Sequence, residues 1–190
     1  MTNSKTKISI DAYNKNADRY TSKFEDFSTY KEKIIEFQEG YIPKGANILD
    51  LGCGPGNNIK TISELDNTCH FTGIDLSVEL ISIAKQKFSS YNFLNQDIRY
   101  IKSDTKYDVV IASFCIVHLS NTDTADLLYK ISEILEKGGS LYLSFMEGNH
   151  SKFESTSFSK EQLFFNYYSV TNIIEILNKF DITHNQIIQE

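Results

Sequence analysis

A glycine-rich loop is the first feature of this sequence that suggests ligand chemistry. Residues 50–56 read Asp-Leu-Gly-Cys-Gly-Pro-Gly and follow a short apolar stretch. Glycine adopts backbone conformations that other residues avoid, and it lets a ligand lie directly against the main chain. A strand-to-helix turn uses glycines in the same way, so the loop alone leaves both interpretations open.

Three aspartates, Asp50, Asp75 and Asp97, stand where successive predicted strands end. Ligands of open α/β sheets bind at the carboxyl ends of the strands, so we expect these carboxylates to share one edge. Asp75 follows Gly52 by 23 positions, a spacing at which a carboxylate accepts hydrogen bonds from both hydroxyls of a ribose. Asp97 would meet the exocyclic amine of an adenine. The pattern predicts a pocket for an adenosine with a charged tail; capping of the next helix is the alternative for Asp75.

The loop differs from the loop that binds dinucleotides. The dinucleotide fingerprint is G-x-G-x-x-G or G-x-G-x-x-A, whereas this loop has the spacing G-x-G-x-G and places Asn57 where a small residue belongs. Pro55 removes an N–H donor that a pyrophosphate would use, and Asp50 would repel a phosphate but suits an ammonium group. These residues favour a cationic cofactor, with an NAD-dependent oxidoreductase as an alternative.

The elements that position these residues alternate between strand and helix. Strands are predicted over residues 47–51, 70–76, 91–98, 107–115, 140–145 and 181–188. Helices are predicted over residues 9–26, 29–41, 58–65, 78–88, 121–135 and 170–180, with Gly138-Gly139 ending the fifth and a polar loop before the last. This order predicts an α/β fold with a doubly wound, mostly parallel sheet.

Several motifs, taken in order, resemble the class I S-adenosylmethionine-dependent methyltransferases of the small-molecule type. They are ILDLGCGPG at 48–56, GIDLS at 73–77, NQDI at 95–98, YDVVIASFCIVHL at 107–119, ILEKGGSLYLSF at 134–145 and, in the lead-in, YNKNADRY at 13–20. The resemblance implies a Rossmann-like methyltransferase fold, S-adenosylmethionine as cofactor and methyl transfer to a small-molecule acceptor. The family ends in an antiparallel seventh strand, which this chain is expected to lack. A non-catalytic S-adenosylmethionine-binding module is therefore another alternative.

The resemblance also assigns cofactor contacts. It places Asp50, Gly52, Cys53 and Gly54 at the methionine end, Asp75 at the ribose, Leu76 on the adenine face, Asp97 and the Ile98 backbone at the adenine edge, and the backbone of Ser113, Phe114 and Cys115 beside the sulfonium. Tyr13, Arg19 and Tyr20 are predicted to form a lid over the cofactor. For Leu76 and for the lid helix, ordinary packing against the sheet is the alternative.

A methyl sulfonium is already activated, so catalysis rests mainly on orientation, which supplies about 7–11 kcal/mol. A general base is needed only for an acceptor that keeps its proton. His118, after the fourth strand, is the candidate base or acceptor contact, with a polar loop residue as the alternative. Further candidates for acceptor contacts are Asn149, His150, Phe164, Phe165, Tyr167 and Tyr168, which also suit a loop or the core. No pair of histidines has metal-ligand spacing, so no metal is expected.

Composition narrows the class of protein. The 190 residues carry a net charge of −6, which disfavours a nucleic-acid partner. Three cysteines without a C-x-x-C pair suit a reducing, cytoplasmic location. The polar N-terminus does not resemble a secretory signal, and no apolar stretch reaches the length of about 20 residues that spans a bilayer.

We expect one domain that is a monomer or a homodimer. It has a lid at 1–44, a cofactor-binding core at 45–146 and an acceptor-side region at 147–190.

Overall fold

A computed structural model describes residues 4–101 and 104–188. Five strands form one parallel sheet in the order β3-β2-β1-β4-β5, and two further strands form an antiparallel hairpin. The strands are β1 Asn47–Leu51, β2 His70–Asp75, β3 Asn92–Asn95, β4 Tyr107–Ser113, β5 Leu135–Ser144, β6 Ser151–Ser155 and β7 Gln162–Asn166. This architecture confirms the predicted doubly wound, mostly parallel α/β fold.

Seven α-helices accompany the strands within the described residues. They are α1 Ser4–Lys15, α2 Ala17–Phe24, α3 Ser28–Tyr41, α4 Asn57–Leu65, α5 Val78–Lys87, α6 Asn121–Ile134 and α7 Val170–Lys179. Two short 3₁₀ turns cover Ile98–Tyr100 and Ile116–His118. In this part of the chain, none of the helices combines the length and the apolar character that crossing a membrane requires.

The central strand β4 shows why both faces of the sheet are covered. Its residues Val109, Val110 and Ile111 are completely buried, and successive side chains of a strand point to opposite faces. Val109 and Ile111 pack with residues of α3, α4 and α5. Val110 packs with α6 and α7. An apolar run on both faces is therefore what this position in the sheet demands.

The strand order places a topological switch point beside β1. From β1 the chain passes to β2 on one side and later returns to β4 on the other. In sheets of this kind the crossover helices diverge at that point and leave a crevice at the carboxyl ends of the strands. The glycine-rich loop, which follows β1, lies at this crevice.

Two predicted elements at the C-terminal side are wrong. Residues 181–188 form no strand: Ile182 packs against the core, but Ile187 and Ile188 are about half exposed. Residues 151–166 contain the hairpin of β6 and β7 instead of the predicted polar loop. In the described residues the parallel sheet ends at β5 and has no antiparallel strand, while Gln189 and Glu190 lie outside them.

Glycine and helix boundaries differ from the prediction in two places. Gly138 and Gly139 do not end a helix: α6 stops at Ile134 and both glycines lie within β5. A Cβ on Gly139 would come within 2.9 Å of the Asp108 carbonyl oxygen, so close strand packing explains that glycine. The helix predicted over residues 9–26 is broken at Asn16 into α1 and α2.

Candidate functional site

The glycine-rich loop turns sharply between β1 and α4. Gly52, Gly54 and Gly56 all have positive φ, at 67°, 54° and 91°, which explains the glycine at each position. The Gly52 and Cys53 amides donate to the Ile74 carbonyl oxygen at 2.8 and 3.0 Å, which fixes the loop to the end of β2. Gly54 is buried beneath Tyr20: a Cβ there would lie 3.8 Å from the Tyr20 ring, which is an ordinary van der Waals contact.

Asp75 joins this loop to the start of α5. One carboxylate oxygen accepts from the Gly54 amide at 2.9 Å, and the other accepts from the Ser77 amide at 2.8 Å. The helix cap itself is Ser77, whose hydroxyl accepts from the Leu80 amide. The Leu76 amide also acts on this carboxylate; since a carboxylate has about four acceptor sites, Asp75 retains capacity for a further donor.

Asp50 is completely buried at the end of β1. The Asn58 side-chain amide, in the first turn of α4, donates to both carboxylate oxygens at 3.1 and 3.3 Å. Burial raises the pKa of Asp50 to about 7, with Asn58 opposing the shift and the charge of Asp75 adding to it. Burial also raises the pKa of Asp75.

The two carboxylates share a need for positive charge. In residues 4–101 and 104–188 neither Asp50 nor Asp75 forms an ion pair with a Lys, Arg or His side chain. Buried charges are normally paired, because burying an isolated charge costs several kcal/mol. The two carboxylates therefore fit a cationic ligand, and an ammonium group would supply the positive charge directly.

The N-terminal helices cover this site. Tyr13 of α1 and Tyr20 of α2 contact each other edge to face, with ring centroids 5.3 Å apart. Burial raises the pKa of Tyr20, and Asp75 is the next contributor, which places the phenol near that carboxylate. Asn14 accepts a hydrogen bond from the Ser77 hydroxyl at 2.7 Å. The predicted lid helices thus close over the glycine loop.

His118 lies in the 3₁₀ turn after β4, beneath α1. Its Nε2 is 3.0 Å from the Tyr13 hydroxyl, and its Nδ1 is 2.8 Å from the Phe164 carbonyl oxygen. Burial lowers the pKa of His118. The structure therefore brings the predicted catalytic histidine together with a predicted lid residue.

The backbone after β4 is held in an unusual conformation. Phe114 has a φ of 50°, and its amide donates to the hydroxyl and the carbonyl oxygen of Ser144, both at 3.1 Å. The Ser113 hydroxyl lies 3.4 Å from that of Ser144. A Cβ on Gly52 would lie 2.5 Å from Cys115 Cβ, so the glycine loop packs directly against this segment.

Asp97 is occupied by a partner that the sequence analysis did not foresee. The Arg99 guanidinium donates to both carboxylate oxygens, at 2.6–3.1 Å, and the Arg99 amide donates to one of them. Ile98 is buried, and Leu76 is half-buried with its carbonyl accepting from Asn95. Contacts of these three residues with an adenine remain predictions.

The predicted acceptor-side residues lie in three places. Phe165 contacts the His118 ring, with centroids 5.1 Å apart. Tyr168 is a core residue whose hydroxyl donates to the Ile116 carbonyl oxygen at 2.7 Å. His150, directly before β6, stacks on Tyr167, directly after β7, at 4.3 Å.

Sequence reasoning missed three polar or aromatic contributors to the site. They are Asn14, Asn58 and Phe158. Asn58 carried a weak signal, because it stands in the first helical turn after the glycines. Phe158 carried none, because its contact with Tyr13 at 5.1 Å depends on the unforeseen hairpin.

Solved structures share this fold. The DhpI–SAH complex matches with a TM-score of 0.76 at 16% identity, over 95% of this chain and 89% of that chain. Magnesium protoporphyrin IX methyltransferase (ChlM) from Synechocystis PCC 6803, with bound SAM, matches with a TM-score of 0.69 at 18% identity, over 94% and 88%.

The sequence itself matches a family described as "Methyltransferase domain" over residues 48–139. Residues 48–139 of this chain therefore form a methyltransferase domain. A relative named "Putative methyltransferase 235L", from Invertebrate iridescent virus 6, is 30% identical over 183 residues, which cover 93% of this chain. The chain spans 64% of the length of that relative.

The matched methyltransferase segment contains the glycine loop, the three aspartates and His118. The lid helices and the β6–β7 hairpin lie outside it. Residues within the matched segment thus form the floor of the site, and residues outside it form its cover.

Proposed function

We propose that this chain is an S-adenosylmethionine-dependent methyltransferase that transfers a methyl group to a small-molecule acceptor by in-line displacement. The observation that carries the proposal is a pair of carboxylates at the glycine loop, the buried Asp50 and the partly buried Asp75, which no cationic side chain of the described residues pairs with. The methionine end of this cofactor carries an ammonium and a sulfonium, which would provide the missing positive charge.

The residues of the chain would divide the work of binding. Asp50, Gly52, Cys53 and Gly54 would hold the methionine end, and the free acceptor sites of Asp75 would hold the ribose hydroxyls. When bound, the cofactor supplies a methyl group on a good leaving group. The protein then has to exclude water and orient the acceptor, an effect that supplies about 7–11 kcal/mol of barrier reduction in well-oriented systems.

A small-molecule acceptor is supported by the cover of the site. Tyr13, Tyr20 and Phe158 close it with aromatic rings 5.0–5.3 Å apart, which suits an acceptor small enough to be enclosed. One similar structure is a magnesium protoporphyrin IX methyltransferase, and the substrate in that name is a small molecule. The net charge of −6 supports the same choice over a nucleic acid.

Isothermal calorimetry with S-adenosylhomocysteine tests the cofactor. Wild type should bind it, and Asp75→Ala should weaken binding at least about tenfold, or about 1.4 kcal/mol. Asp126→Asn, which changes an exposed carboxylate on α6, is the matched control and should bind like wild type. Absence of heat with S-adenosylhomocysteine, tight binding of NAD instead, or an unchanged Asp75→Ala would overturn the proposal.

Turnover separates the enzyme from a binding module. The proposal expects methyl transfer from labelled S-adenosylmethionine to at least one member of a broad panel of small acceptors. Cofactor binding without any transfer would favour the non-catalytic alternative.

We also propose a cytoplasmic location, which the free state of Cys53, Cys69 and Cys115 supports.

A further inference from the structure

The Tyr13 side chain lies in an aromatic box beside the glycine loop. Its ring stacks on Phe158 with centroids 5.1 Å apart and an interplanar angle of 26°. It meets the rings of Tyr20 and His118 edge-on at 5.3 and 5.5 Å, within the usual range for favourable aromatic pairs. The box thus binds a phenol that belongs to the chain itself.

The hydrogen bonds of His118 define which ring nitrogen faces that phenol. The Phe164 carbonyl oxygen, 2.8 Å from Nδ1, can only accept, so Nδ1 carries the proton. Burial lowers the pKa of His118 and favours the neutral ring, whose Nε2 then has a free lone pair. The Tyr13 hydroxyl, at 3.0 Å, therefore donates to Nε2.

The box adjoins the proposed cofactor site. Tyr20 forms one wall of the box, and the same ring covers Gly54, lying 3.8 Å from where a Cβ would be. Burial is the main cause that raises the pKa of Tyr13 and of Tyr20, and the charge of Asp75 also contributes to both shifts. Asp75 therefore lies near both phenols. A phenol in the box is thus a neighbour of the residues proposed to hold the methyl donor.

We propose that the acceptor is itself a phenol, which displaces Tyr13 from the box, and that His118 Nε2 takes the proton from its hydroxyl. This inference rests on the proposed function. The acceptor O–H proton passes to Nε2, an oxygen lone pair forms the new O–CH₃ bond, and the electron pair of the broken S–CH₃ bond stays on sulfur. A phenol keeps its proton at neutral pH, with a pKa of about 10, so this acceptor needs a base.

Tyr13 is placed so that it can leave the box. It lies in the last turn of α1, three residues before the break at Asn16. Lys15 pairs with Glu161, and Arg19 donates to the Ser157 carbonyl oxygen at 3.3 Å. Both contacts are exposed, and exposed polar contacts of this kind stabilise a structure only weakly.

Binding of p-cresol, which is the tyrosine side chain as a free molecule, tests this proposal. Tyr13→Ala should bind p-cresol at least tenfold more tightly than wild type and at least tenfold more tightly than toluene, which lacks the hydroxyl. Replacing His118 by Phe in the same variant should remove the preference for p-cresol over toluene. Tyr100→Ala, which changes a tyrosine that is 64% exposed, is the matched control and should bind p-cresol like wild type.

Two results of that experiment would overturn the acceptor proposal. One is equal binding of p-cresol and toluene by Tyr13→Ala, and the other is a preference that survives the change of His118 to Phe. Calorimetry with S-adenosylhomocysteine on the same samples keeps the two proposals apart. If wild type binds S-adenosylhomocysteine but Tyr13→Ala does not prefer p-cresol, only the proposal of a phenol acceptor is overturned. If folded wild type does not bind S-adenosylhomocysteine, the proposed function is overturned.

Nitrogen-15 NMR of the histidine rings gives a second test that does not depend on the folding of Tyr13→Ala. Wild-type His118 should be protonated on Nδ1 and unprotonated on Nε2, and Tyr13→Phe should shift only the Nε2 resonance of that ring. Saturating p-cresol should shift the Nε2 resonance in wild type. A ring protonated on Nε2, or an Nε2 resonance unchanged in both comparisons, would contradict the proposal.

Discussion

At the scale of single residues, Asp50 is the group on which the site depends most. It is completely buried, its only hydrogen-bond donor within the described residues is the Asn58 amide, and its neighbour Asp75 is also a carboxyl group. Burial and the neighbouring Asp75 oppose ionisation of Asp50, whereas the Asn58 amide favours it. A bound cation would lower the raised pKa of Asp50 and favour its carboxylate form.

This arrangement predicts a stability that depends on pH. The pKa of Asp50 rises from its ordinary value of 3.8 to about 7 in the folded chain, so between these values the folded state holds a proton that the unfolded state has lost. Stability from this group thus falls as pH rises through that window, by about 4 kcal/mol in total. Asp50→Asn should unfold at higher urea concentration than wild type at pH 8, with a smaller difference at pH 5.

Urea unfolding of both proteins between pH 5 and pH 8 measures this effect. Asp126→Asn should keep the wild-type pH dependence, because it changes a carboxylate exposed on α6. An Asp50→Asn protein with the same pH dependence as wild type would show that Asp50 is ionised throughout this range.

At the scale of elements, the glycine loop is fixed by its contact with the end of β4. Gly52 combines a positive φ with a position where a Cβ would overlap Cys115 Cβ at 2.5 Å. The sequence predicts the first requirement, because glycine is common where φ is positive. It does not predict the second, because the contact joins residues 63 positions apart in the sequence.

We expect Gly52→Ala to destabilise the chain by about 2–4 kcal/mol, through backbone strain and steric overlap together. Gly138→Ala is the matched control, since Gly138 also has a positive φ, 81°, but nothing lies within 4 Å of its Cβ position. That variant should lose only about 1 kcal/mol. Equal losses of unfolding free energy in Gly52→Ala and Gly138→Ala, measured by chemical denaturation, would mean that Cys115 moves aside without an energetic penalty.

Glu161 forms a small group of polar contacts with the lid helices. Its carboxylate accepts from Lys15, from Asn16 at 3.3 Å and from the Ser159 hydroxyl at 2.6 Å. These donors lower the pKa of Glu161 to about 2. They connect the α1–α2 junction to the segment that precedes β7.

Glu161→Gln should therefore loosen the lid without unfolding the sheet. We expect faster amide hydrogen exchange in α1 and α2, unchanged exchange in β1 and β4, and a melting temperature close to that of wild type, because exposed ion pairs add little global stability. Glu175→Gln, on the exposed side of α7, should leave exchange in the lid unchanged. Unchanged exchange in α1 and α2 of Glu161→Gln would show that apolar packing alone holds the lid.

At the scale of the whole molecule, the parallel sheet could be predicted because its signals are local. The apolar run of β4 and the glycines after β1 lie within short stretches of sequence, and each indicates its element directly. The hairpin of β6 and β7 could not be predicted in this way. Both strands have only five residues, and β6 is rich in Ser, Lys and Glu. The hairpin depends on burial of Leu163 and Phe165 of β7 against other elements.

The site follows the same division. Positions on the strand ends, such as Asp50 and Asp75, could be found from spacing, since the carboxyl ends of parallel strands meet at one edge. The cover of the site could not, because Tyr13 reaches His118 across 105 positions of sequence through tertiary packing. The sequence thus predicts which groups form the floor of the site, and the structure adds their hydrogen bonds, their charge balance and their cover.

The central claim is that buried carboxylates at the strand ends receive the positive charge of the cofactor. Calorimetry of S-adenosylhomocysteine binding at pH 7, in buffers of different ionisation enthalpy, measures the protons that binding releases. Wild type is expected to release protons on binding, because the ammonium lowers the raised pKa of Asp50, and Asp50→Asn is expected to lose that release. Binding with no proton release in wild type, or with the same release in Asp50→Asn, would contradict it.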